Sequence, residues 1–161
     1  MDSSSPLIIQ LNKLRQLSRG DRILLFKAAF LLPVIHVALI LVGYARLSMM
    51  LKNLSSFTSS QGNCSEHESI PRAREIARIV SIASQRGLYR ATCLRRSMVT
   101  WWFLGREGID SVVCFGVRMS GRRLEAHAWV ECNGVVINDA ANIREQFHVL
   151  HHKLVSTSAG L

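Results

Sequence analysis

Helices followed by a small antiparallel sheet, an α+β fold, are what the hydrophobic pattern predicts. Three observations carry this. Apolar residues recur at helical spacing in the first part of the chain, as in Ile76, Ile79, Val80 and Ala83. From Ser111 onward the pattern changes to short Val-rich runs that alternate. Ser120-Gly121 and Asn133-Gly134 separate those runs as turn signals. Helix, helix, then meander is the order of an α+β domain. The 161 residues fit one domain plus an appendage, and 48% hydrophobic residues suffice for a core.

The first segment, from Pro6 to about Leu54, reads as helical. Leu7, Ile8, Leu11, Leu14 and Leu17 recur at helical spacing, Arg19-Gly20-Asp21 breaks the pattern, and Asp21 is the expected N-cap of the next helix. Ile23 to Val42 is apolar and long enough to span a bilayer. Lys27 and His36 lie inside it, however, and Pro33 is expected to split it. Both flanks are basic, with Arg15, Arg19 and Arg22 before and Arg46 and Lys52 after, so they define no orientation. A helical hairpin over residues 1–54, packed on the rest of the chain and open to partners, is expected in preference to a span. No small-residue cleavage site follows, which argues against a signal peptide. Residues 55–69, rich in Ser, Asn, Gln and Gly, form a linker to a second domain over residues 70–161.

In that domain Pro71 suits the first turn of a helix that Gly87 ends. Leu88 to Thr92 lead into a second helix, about Cys93 to Leu104, with Leu94, Met98, Trp101 and Trp102 in its apolar pattern and Gly105 and Gly108 at its exit. Strands are expected at Ser111–Met119, Leu124–Cys132 and Val135–Asp139. Residues 140–161 read as a loop, a short helix and a tail. There are no internal repeats.

The formal charge of +9 favours an acidic peptide, a membrane surface or nucleic acid as partner. The cations are not one patch, and no basic run is interleaved with aromatics, which disfavours nucleic acid. Cys64, Cys93, Cys114 and Cys132 are too few and too scattered for a disulfide framework or a zinc knuckle, and imply a reducing, cytoplasmic compartment. Residues 23–42 leave peripheral membrane contact open.

Cys93, His127 and Asp139 carry the chemistry. Cys93 opens a helix, with Thr92 as expected N-cap, and the unpaired N–H groups and dipole there favour a thiolate. Arg95 and Arg96 add positive potential. The Cys93 N–H is also in position to serve an oxyanion. His127 lies in the second strand between Ala126 and Ala128, and Asp139 closes the third. A thiol, an imidazole and a carboxylate in that order suit nucleophilic catalysis. The plainer alternatives are a buried structural cysteine, a half-buried histidine and a turn-forming aspartate. Trp129 shares the His127 face and is a candidate for lining the cleft. His148 and His152 are spaced i, i+4, but no third ligand is marked, so no metal is expected.

The hairpin register tests the site. A two-residue turn at Asn133-Gly134 pairs Cys132 with Val135 and Ala128 with Asp139, which sends His127 and Asp139 to opposite faces. A three-residue turn, with Gly134 left-handed in a bulge, sets His127 opposite Asp139. If the two are to meet, the three-residue turn is expected.

Cys-Leu-x-Arg-Ser at 93–97, Gly-Val-Arg at 116–118, Ala-His-Ala-Trp-Val-Glu at 126–131 and Asn-Asp at 138–139 together resemble the transglutaminase-like cysteine peptidases of lasso-peptide biosynthesis. The match covers about residues 70–140. The resemblance implies a transglutaminase/papain-like core with Cys93 as nucleophile, His127 as base and Asp139 as its orienting acid. It implies a precursor peptide as substrate, cut at the leader–core junction. It also implies two separate partners, a winged-helix leader-recognition protein and an ATP-dependent, asparagine-synthetase-like cyclase. No cofactor is needed by these residues. The rivals are a transglutaminase-like acyltransferase using the same triad, a non-catalytic peptide-binding module, and a membrane-anchored adaptor resting on residues 23–42.

Overall fold

A computed structural model describes residues 18–56, 66–86 and 92–150. Helix α1 spans Arg19–Ser56, α2 Glu66–Arg86 and α3 Cys93–Arg106. Strands β1 (Val112–Ser120), β2 (Arg123–Cys132) and β3 (Val135–Val136) follow, then the short helix α4 (Ile143–Gln146) and strand β4 (His148–Leu150). The sheet order is β3-β2-β1-β4, with every pair antiparallel. The α+β architecture expected from the pattern is the one observed.

Ser18 caps α1. Its hydroxyl accepts from the Asp21 amide at 3.2 Å, while Asp21 Oδ2 accepts from the Ser18 amide and hydroxyl, a reciprocal box that satisfies two otherwise orphaned donors. Asp21 is therefore the acidic partner in the first turn and not the cap, and Gly20 lies within the helix. Pro33 also lies inside α1. Its ring and Ala29, whose carbonyl loses a donor, both sit on the exposed side, so the missing hydrogen bond is not buried. The bend falls instead at Gly43, with φ 76° and ψ 169°, a conformation that only glycine adopts cheaply. The expected linker lies mostly outside the described residues, as do Cys64, His151, His152 and the segment before Ser18. α2 begins at Glu66, so Pro71 falls past its first turn.

One core joins the three helices to one face of the sheet. It includes Ala28, Leu32, Ile35, Leu47 and Leu51 of α1, Ile76 and Val80 of α2, Met98, Val99 and Leu104 of α3, and Val113, Val130 and Cys132 of the strands. Burying a side chain of this size is worth about 1.5–3 kcal/mol. A second, smaller cluster of Trp129, Ile143 and Phe147, flanked by Cys114, Val136 and Val149, lies on the other face of the sheet. Strand β4 has no counterpart in the sequence pattern; it pairs with β1 through Gly116↔Val149. Two polar links fix the layers. Trp101 Nε1 donates to the Ser111 carbonyl, and Arg72 holds both oxygens of Glu107 at 2.7 Å.

Candidate active site

Cys93 is the first residue of α3 and is partly exposed. Thr92 occupies the N-cap position in extended conformation but makes no side-chain cap hydrogen bond. Its hydroxyl accepts from Arg95 Nε at 3.1 Å instead. The amides of the first turn are thus not taken by the cap residue, a difference from the expected capping that leaves them open to an anion.

One turn on, α3 is tied to the sheet. Ser97 is fully buried, donates to the Ala128 carbonyl at 3.0 Å and accepts from Asn138 Nδ2 at 2.9 Å. Arg96 reaches Asp139 Oδ2 at 3.3 Å. The same oxygen is 2.8 Å from His127 Nε2, and Asp139 Oδ1 accepts from the Ala140 amide. The carboxylate therefore joins an imidazole on β2 to a guanidinium on α3. It engages Nε2, and the tautomer that donates from Nε2 to a carboxylate leaves Nδ1 as an acceptor. His127 and Asp139 side chains are 22% and 19% exposed, which leaves the pair reachable from solvent. Cys93, His127 and Asp139 thus lie on elements fastened to one another. The structure brings His127 and Asp139 into contact, while the Cys93 thiol makes no hydrogen bond among the described residues.

The turn that permits this contact differs from the expectation. Asn133 and Gly134 have φ of 49° and 77°, and Cys132 pairs with Val135, so the turn is the two-residue type I′ that the local sequence favours. Ile137 still donates to the Val130 carbonyl, in register. The chain then leaves the ladder. Asn138 Oδ1, not a backbone carbonyl, accepts from the Val130 amide at 2.7 Å. With the next ladder bond made by a side chain, Asp139 is released to turn toward His127. The correction is made at Asn138 and not in the turn.

Trp129, a candidate for lining the cleft, is fully buried and supports the site from behind. Its ring is near-parallel to His127, with centroids 6.3 Å apart, and Phe147 stacks at 5.2 Å. Trp129 Nε1 donates to Glu131 Oε1 at 2.7 Å, and Arg144 of α4 forks onto both oxygens of that buried carboxylate. Gly116, opposite His127, makes room for these rings, since an added Cβ would lie 2.7 Å from Phe147 Cβ and 2.9 Å from the Trp129 ring. Cys114 lies near Glu131, and burial, with the Glu131 carboxylate, pushes its thiol up to about 12. Sequence reasoning gave Arg96 only a general positive potential and gave Ser97, Asn138, Glu131, Arg144 and Phe147 no role. Ser97, Glu131 and Asn138 stand inside the quoted motifs, which was the available signal. A cavity of about 440 Å³, lined by Ile23, Lys27, Trp102 and Arg106 among others, lies at the far end of α3 and contains none of the candidate residues.

Comparison with known proteins fits this geometry. The family model described as the transglutaminase-like superfamily matches residues 38–152, from within α1 to beyond β4. The Microcin J25-processing protein McjB of Escherichia coli is 34% identical over 77 residues, which are 48% of this chain and 36% of that protein. The match therefore spans little more than a third of the relative's length. No solved structure matches. With the family model covering most of its length, from the second half of α1 through β4, the chain belongs to the transglutaminase-like superfamily.

Proposed function

We propose that the protein is a cysteine endopeptidase that removes the leader from a ribosomally made lasso-peptide precursor. The observation that carries this reading is the 2.8 Å contact between His127 Nε2 and Asp139 Oδ2, on elements tied to the helix that Cys93 opens. The name of the Escherichia coli relative, a microcin-processing protein, supports the substrate class. In this mechanism His127 Nδ1 takes the Cys93 proton, the sulfur adds to the scissile carbonyl, and the Asp139 carboxylate stabilises the imidazolium. The first-turn amides of α3 face the developing oxyanion. The C–N bond breaks as the imidazolium returns its proton to the leaving amine. Water, deprotonated by the same imidazole, then adds to the thioester; the C–S bond breaks, freeing the leader carboxylate and the Cys93 thiol. A separate winged-helix protein presents the leader, and an ATP-dependent cyclase takes the freed core.

The test is mass spectrometry of a precursor incubated with the protein and the recognition protein. Two hydrolysed fragments are expected from the native chain and none from Cys93→Ala. Fragments from Cys93→Ala would remove the nucleophile, and an amine adduct in place of a free leader acid would make the protein an acyltransferase.

A further inference from the structure

Between Ile23 and Val42 helix α1 carries apolar side chains on both its buried and its exposed sides, with Lys27 and His36 the polar exceptions. One side, with Ala28, Leu32 and Ile35 at 0%, 5% and 1% exposure, packs into the core shared with α2 and α3. The other side carries Ile23, Phe26, Phe30, Val34, Val37 and Leu41, which are 45–77% exposed. They are spaced by three and four residues, so at about 100° per residue they form one stripe, nearly opposite the buried one. The stripe is about 27 Å long at about 1.5 Å per residue. Single exposed apolar side chains are ordinary, but a continuous stripe of this size marks a surface that meets an apolar phase.

The chemistry around the stripe selects that phase. None of its six side chains can donate or accept a hydrogen bond, whereas protein–protein interfaces typically carry about one hydrogen bond per 100–200 Å². Arg19 and Arg22 stand at its N-terminal end, Lys27 lies at its rim, and Arg46 follows its other end. Asp21 is already engaged by Ser18 and faces Arg72 at 3.7 Å. An apolar stripe bordered by cations complements an anionic bilayer, with hydrocarbon against the stripe and headgroups against the cations. The body of the protein stands where the polar face of an ordinary interfacial helix would be.

We propose that the outer face of α1 lies in the plane of an anionic phospholipid membrane and holds the protein on its surface. By length and composition α1 suffices to cross a bilayer, but crossing would strip Ala28, Leu32 and Ile35 from the core. This inference does not depend on the peptidase reading.

The experiment is flotation of the full chain with vesicles of phosphatidylcholine alone or mixed with phosphatidylglycerol. Binding to the mixed vesicles is expected, weaker without phosphatidylglycerol and reversed by alkaline carbonate. Phe30→Glu with Val37→Glu, both at exposed positions, should lower binding by roughly tenfold or more with an unchanged circular dichroism spectrum. Should that pair unfold the chain, Phe30→Trp provides a conservative probe: brominated lipid chains should quench the emission that this substitution adds. A native chain that stays with neither vesicle, or added emission from Phe30→Trp that lipid leaves unquenched, overturns the proposal. So does a lipid-free dimer that the double substitution dissociates, which would make a second copy the occupant. Resistance to carbonate overturns it in favour of a span.

Discussion

Three side chains hold Asp139 and its neighbours in place: His127, Arg96 and Asn138. The Arg96 contact at 3.3 Å shares the oxygen that His127 uses, so Arg96 positions the His127 ring indirectly. Arg96→Ala is expected to lower kcat about tenfold, the equivalent of one charge-assisted hydrogen bond, with KM little changed and partial recovery in Arg96→Lys. A rise in KM at constant kcat would show instead that Arg96 binds substrate. The cysteines should separate by reactivity. Burial and the Glu131 carboxylate keep Cys114 protonated up to about 12, and Cys132 is 1% exposed. Iodoacetamide at pH 8 is therefore expected to label Cys93 well before either, because the thiolate is the reacting form. Labelling of Cys114 at the rate of Cys93, read by peptide mapping, would contradict the burial and charge assigned to it.

Among the elements, the β1–β2–β3 meander and the helix opening at Cys93 were legible because their signals are local: alternation, Asn133-Gly134, and an apolar stripe. Three features were not. Pro33 sits within α1 because its ring faces outward, which depends on tertiary packing. Strand β4 is three residues long and exists through its pairing with β1. Asp139 meets His127 after a type I′ turn because Asn138 bonds Ser97 and Val130, partners brought near only by the fold. Requiring the pair to meet was right; placing the adjustment in the turn was not. Gly116 makes the packing of the second face testable. An alanine there lies too close to Phe147 Cβ and the Trp129 ring, both of which pack on or near His127. Gly116→Ala is expected to cost about 1–3 kcal/mol in urea denaturation and to reduce turnover as the rings shift. A variant of native stability and activity would mean that the second face yields freely.

The two faces of the sheet also give the protein an alkaline limit. Tyr44 on α1 and Cys114 on β1 are both raised to about 12, chiefly by burial. Each is an acid kept neutral by folding, so its contribution is complete below its ordinary value, near 9 for the thiol and 10 for the phenol, and is lost as pH rises toward 12. Tm is expected to fall across about pH 9–12, and Cys114→Ala should flatten the start of that fall. A Tm independent of pH in this window would show that neither group is held neutral. The departure of the chain at Asn138 has a further consequence for observation. The Val130 amide is held by a side chain of the site, although it belongs to a central strand. Its hydrogen exchange reports opening of the Asn138 region, while its strand neighbours report unfolding of the sheet. One proton, followed by nuclear magnetic resonance, thus distinguishes a protein that is merely folded from one whose Asp139 carboxylate is also in place.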